Sequence, residues 1–148
     1  ANSALGLARA HGLDCQSDRV MEGVQQDLFL LGAEIASGRN AQKKLGMPLV
    51  SQADIERLET AIDQAEQDLK PLESFILPGG SPAAAALHLA RTVIRRGERN
   101  LVTLSNLEEV RKEVLEYVNR LSDLFFVYAR RANCMSNNDD ILWTPPKG

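Results

Sequence analysis

Five stretches of the chain carry apolar residues at intervals of three and four, the repeat of an amphipathic helix. Ala1 to Ala10 reads as the end of a helix already under way, with either Leu5 and Ala8 or Ala4 and Leu7 facing inward. A second stretch is seamed by Val20, Val24, Leu28, Leu31 and Ile35, with Ser17 or Asp18 as its cap and a close near Ser37 and Gly38. Ser51 with Asp54 forms a capping-box start for a third, in which Ile55, Leu58, Ile62, Ala65 and Leu69 recur until Pro71 stops it. Its acidic residues, in IERLETAIDQAEQD, make a solvated face. A fourth begins at Ser81. The fifth, capped by Ser105 or Asn106, is seamed by Val110, Val114, Val118, Leu121, Phe125 and Tyr128. Arg39 to Val50 has no period and holds Gly46 and Pro48, so a mobile connection is expected there. From Asn133 the pattern dissolves, and Pro145 and Pro146 forbid helix past Thr144. With no strand pattern, the expectation is an all-α antiparallel bundle of about five helices forming a single domain over residues 1–148.

The stretch from Phe75 to Arg99 departs from an ordinary amphipathic pattern. Phe75, Ile76 and Leu77 precede a turn made by Pro78, Gly79 and Gly80. Ser81 can cap the following helix, and Pro82 at its first position loses no hydrogen bond. On the helical wheel Ala83, Ala86, Leu87, Ala90, Ile94 and Gly97 share one face, while His88, Arg91, Arg95 and Glu98 share another. Leu89 and Val93 add a third, apolar patch. Two apolar faces imply a helix enclosed by neighbours, with room for a subunit contact. An arginine row on such a helix needs acidic side chains or an anionic ligand, because unpaired buried charge is costly. Solvated arginines near the helix C-terminus are the plainer alternative. Phe75, read from its residues alone, fills core. On the last helix Asn119, Asp123, Phe126 and Arg130 line up opposite the apolar seam. Trp143 is expected to anchor the tail to the body.

Composition narrows the function. The chain has 148 residues and a net charge of −3, which disfavours a general nucleic-acid or membrane-surface binder. No run is long and apolar enough to span a bilayer. The clustered arginines suit one small anion better than a long polyanion. Cys15 and Cys134 make neither a disulfide framework nor a metal spacing and read as free thiols, with Cys15 a candidate packing residue. These features suggest a cytoplasmic setting. Di-iron chemistry would need Glu-x-x-His, and neither His11 nor His88 follows a glutamate by three. Zinc ligand clusters and a Walker-type glycine loop are absent from the sequence, so no protein metal site is expected. His88 is expected to be satisfied by a neighbouring carboxylate.

FILPGG, the ALHLARTV run with its following RR and ER, and NRLSDLFF together resemble the trimeric ATP-dependent cob(I)alamin adenosyltransferases of the propanediol-utilisation type. The likeness extends from NSALGLARA to DILW. It implies transfer of the 5′-deoxyadenosyl group of ATP to the cobalt of cob(I)alamin, giving adenosylcobalamin and triphosphate. It implies a homotrimer with sites between subunits, Mg²⁺ with the nucleotide, and a reductase and an adenosylcobalamin-dependent mutase as candidate partners. Phe75 would occupy the lower face of the corrinoid, with Phe126 a wall of the same pocket. Arg91 and Arg95 would act on the ATP phosphates. Glu98 would orient an arginine or meet the nucleotide directly or through Mg²⁺, and Asn119 suits the ribose or adenine. Relative to the family pattern, a glycine-, threonine- and lysine-containing triphosphate segment and an acidic residue would be expected ahead of Asn2. Without them a non-catalytic bundle that holds or delivers a corrinoid is the alternative reading.

Overall fold

The structure is a computed structural model that describes residues 1–38, 46 and 48–145. In chain order its elements are α1 (Asn2–Ala10), α2 (Cys15–Ser37), α3 (Gln52–Glu66), β1 (Ile76–Leu77), α4 (Pro82–Ser105), α5 (Lys112–Met135) and β2 (Ile141–Leu142). Most of the connection expected to be mobile, 39–45 and 47, lies outside the described residues.

Helix starts follow local chemistry, with two corrections. Asp14, rather than Ser17 or Asp18, caps α2, accepting from the backbone N–H groups of Gln16 and Ser17 at 3.1 Å each. Three capping residues crowd this turn, and the helix takes the first because it satisfies two orphan donors at once. The fifth helix starts later than expected. Asn106 closes α4, and α5 begins after Arg111 without a side-chain cap. Arg111 instead reaches the buried Glu34 at 2.8 Å and also the carbonyl of Val50, tying the start of α5 to α2. The capping box of Ser51 and Asp54 is present at α3, and Ser81 caps α4 with Pro82 in its first turn.

Cross-helix bonds give the topology. Asn2 meets Gln25 and Arg9 meets Asp18, so α1 and α2 run antiparallel. Asp14 pairs with Arg131, Asp27 accepts from the Tyr117 hydroxyl at 2.7 Å, and Glu34 pairs with Arg111, so α2 and α5 do too. Burial and the Asp27 carboxylate hold the Tyr117 phenol protonated far above its ordinary range. Glu98 meets Asn119 across the antiparallel pair α4 and α5. The helices therefore alternate up and down.

The core gathers Leu5, Met21, Val24, Leu58, Leu87, Leu121 and Phe125 among its fully buried side chains. Within the single chain the second half of α5 is the enclosed stretch: every residue from Val127 to Asn133 is buried. The first apolar face of α4 packs inward as expected, but its second patch is open, with Leu89 52 % exposed. Among the described residues no helix is long and apolar enough to cross a membrane. Cys15 and Cys134 are free thiols as expected, although both are exposed, so Cys15 is not a packing residue.

A small β element was not foreseen. Ile76 pairs with Leu142 and Leu77 with Ile141, antiparallel, so the tail lies along the stretch before the glycine turn. Two residues per strand are too few to show alternation in a sequence.

Candidate functional site

Phe75 stands at the mouth of this β pair and is 80 % exposed, so the core-filling reading is overturned. Its carbonyl accepts the Trp143 N–H at 2.8 Å, and the two rings meet edge to face with centroids 6.4 Å apart. Trp143 thus anchors the tail, as expected, and does so on Phe75 itself.

Asn133 holds the turn behind Phe75 in place. Its Oδ1 accepts the Ser81 N–H at 2.9 Å, and its Nδ2 donates to the Gly79 carbonyl at 3.1 Å and to Asp140 at 3.3 Å. Gly80 has φ +102°, and a Cβ there would lie 2.1 Å from Asn133 Oδ1. Only glycine meets both demands. The expected irregular stretch from Asn133 is therefore corrected: α5 continues through Met135 with Asn133 buried in it.

One group on α4 and α5 joins His88, Arg91 and Phe126. The Arg91 guanidinium carbon sits 5.0 Å from the Phe126 ring centroid, a cation–π distance. Its Nε is buried without a hydrogen-bond partner among the described residues. The His88 ring lies edge-on to Phe126 at 6.3 Å. Among the described residues no carboxylate bonds His88, and its Nε2 is buried without a partner there. Burial, and next the charge of Arg91, push the imidazole below its ordinary pKa, so it is neutral near pH 7; Asp140 opposes them more weakly.

A second group joins Arg95, Glu98 and Asn119. Glu98 Oε2 accepts from Arg95 at 2.5 Å and Oε1 accepts from Asn119 at 2.8 Å. Arg95 is still half-exposed, and Arg99 leans back to donate to the Arg95 carbonyl. The arginine row thus divides. Arg95 is paired on its own helix, while Arg91 has an aromatic face and no bond at its Nε.

The row expected on α5 is also divided. Asp123 is taken by Arg120 at 2.9 Å, and Arg130 turns away to Asp140 at 2.8 Å and the Lys70 carbonyl at 2.7 Å. Asn133 and Asp140 were missed in the sequence. The first was within reach, because the steps from Asn119 through Asp123, Phe126 and Arg130 arrive next at Asn133. No group of three or more His, Cys, Asp or Glu side chains among the described residues is placed to hold a metal ion.

Comparison with known proteins matches residues 1–132 to the family model for cobalamin adenosyltransferase. The corrinoid adenosyltransferase of Mycobacterium tuberculosis is 41 % identical over 148 residues, covering 98 % of this chain and 75 % of its own length. The corrinoid adenosyltransferase PduO of Salmonella typhimurium is 40 % identical over 141 residues, covering 95 % of this chain; the chain spans 42 % of that relative. Among solved structures, a variant PduO-type ATP:corrinoid adenosyltransferase from Lactobacillus reuteri, complexed with cobalamin and ATP, superposes with a TM-score of 0.85 at 34 % identity. That match covers 97 % of this chain and 80 % of the other. The chain belongs to the cobalamin adenosyltransferase family.

Proposed function

We propose that the protein transfers the 5′-deoxyadenosyl group of ATP to the cobalt of cob(I)alamin. Co(I) attacks the 5′ carbon, the cobalt–carbon bond forms, and the carbon–oxygen bond breaks with its electron pair leaving on triphosphate. The observation that carries this reading is an exposed Phe75 on a pinned turn, directly ahead of a helix bearing Arg91 and Arg95, in a chain of this family.

Each residue then has a physical task. Negative charge grows on the leaving triphosphate, and fixed guanidinium groups in a water-poor site stabilise it without reorganising. Arg95, held by Glu98, is preorganised for phosphate oxygens, and Arg91 has donor capacity left over. Asn119, fixed by the same carboxylate, is set for the ribose or adenine. Each Glu98 oxygen accepts one protein donor, so its first task is to orient Arg95 and Asn119, and Mg²⁺ would come with the nucleotide. Phe75 displaces an axial ligand from the lower face of a Co(II) corrinoid without coordinating it, which eases reduction to Co(I), and Phe126 walls the same pocket.

Three copies assemble in this reading, with sites shared between neighbours. The open Leu89 patch of α4 is the kind of surface such a neighbour covers. A reductase would supply the reduced corrinoid and a mutase would use the product. The test is to mix the protein with MgATP and chemically reduced cob(I)alamin and follow the visible spectrum. Conversion to the alkylated corrinoid is expected; a bound but unconverted spectrum would favour a delivery protein.

A further inference from the structure

We propose that Asn133 is the positioning residue for Phe75, acting with Gly80 and Asp140 as one clamp; the consequence for adenosylation rests on the lower-face reading of Phe75, while the clamp itself does not. Phe75 lies in a stretch held at both ends. Behind it, Asn133 accepts from Ser81 and donates to Gly79, so one carboxamide fixes both sides of Gly80. Beyond it, the tail carries Asp140, which receives the second amide hydrogen of Asn133, and Trp143, whose N–H reaches the Phe75 carbonyl. Arg130 completes the connection. It binds Asp140 and also the Lys70 carbonyl, at the entry to the loop that leads to Phe75.

The amide's chemistry is matched to this task. Asn133 is 2 % exposed and uses one acceptor and two donors, which an aspartate of equal shape cannot supply. Aspartate would keep the bond from Ser81 but set a negative charge against the Gly79 carbonyl and the Asp140 carboxylate. Gly80 forms the other half of the contact, since a methyl group there would overlap Asn133 Oδ1. The ring of Phe75 is exposed and has no core packing to hold it, so its backbone must be held instead.

The test uses Asn133→Asp and Gly80→Ala, which break one contact from opposite sides, with Phe75→Ala as the reference. Two rates are compared: adenosylation from Co(II) with a reductant, and from preformed Co(I). Either clamp variant should cut the ratio of the two by roughly tenfold or more, as misplacement of a positioned group does, with the KM for ATP unchanged. A merely destabilised protein would lose both rates together. Because the chain has one tryptophan, Trp143 emission anisotropy reads the loop and tail without any turnover, and it should fall in both variants. Rates and anisotropy equal to the parent protein in both variants would overturn the clamp. If Phe75→Ala leaves the ratio unchanged, the lower-face reading fails, and the anisotropy still decides whether Asn133 holds the loop. If Asn133→Asp fails to fold, Gly80→Ala decides it alone, since that change keeps the α5 sequence intact and meets Asn133 only from the loop side.

Discussion

Glu98 and Asn119 face each other across α4 and α5 with 2.8 Å between carboxylate and amide, while the same carboxylate's other oxygen holds Arg95. One acid therefore sets the direction of a cation and an amide on two different helices. Arg95→Ala should lower kcat/KM for ATP by roughly 100-fold, the cost of removing one preorganised donor. Glu98→Gln should lower it less, because the amide can still meet one partner. The double variant should fall short of the product of the two effects, since both act through one network. Steady-state kinetics on the four proteins checks this, and multiplicative effects would separate Glu98 from Arg95.

Phe75→Ala should leave folding stability within about 0.5 kcal/mol, because an exposed ring contributes little to the core. Its KM for ATP should also be nearly unchanged, while adenosylation starting from Co(II) slows. A urea melt and parallel assays from Co(II) and Co(I) read the three quantities, and equal Co(II) turnover would remove the lower-face role.

The helices and their inward faces were legible in the sequence because periodicity is local. The Ser51–Asp54 box and the Ser81–Pro82 start were legible for the same reason. What escaped depends on partners distant in the chain. Asn133 sits in NCMSNN, a run that looks like loop, and stays helical with its amide engaged by a turn 52 residues away. The β pair is two short segments whose only signal is each other. His88 looked ready for a carboxylate, yet Phe126 and Arg91 occupy its surroundings. Of the site, the residues on α4 and α5 were legible as faces of helices. Which of them pair with one another was not.

His88 should make stability depend on pH in mildly acidic solution. Its folded pKa is depressed, so an unfolded chain near the ordinary imidazole value of 6.5 takes up a proton that the folded one resists. The contribution is fully present above that value and is lost as pH falls from it toward the lower folded value. His88→Gln should flatten this slope relative to the parent protein. Thermal melts between about pH 7 and 5 give the comparison, and parallel curves would show that His88 is not titrating against its burial.

Asp14 caps α2 and also lies 3.5 Å from the nearly buried Arg131. Asp14→Ala should cost about 2 kcal/mol or more, since the loss of a cap is compounded by a weakened buried ion pair. Asp14→Asn should recover the cap alone, and so lie between the two in a denaturant melt.

The central claim is that the cobalt displaces triphosphate from ATP under the control of this arginine helix. Its most direct measurement is the phosphate product formed when the protein turns over ATP and cob(I)alamin. One intact triphosphate released for each adenosylcobalamin is expected, falling in step with adenosylcobalamin formation in Arg95→Ala. Release of inorganic phosphate or pyrophosphate as the primary product, or no adenosylcobalamin at all, would contradict it.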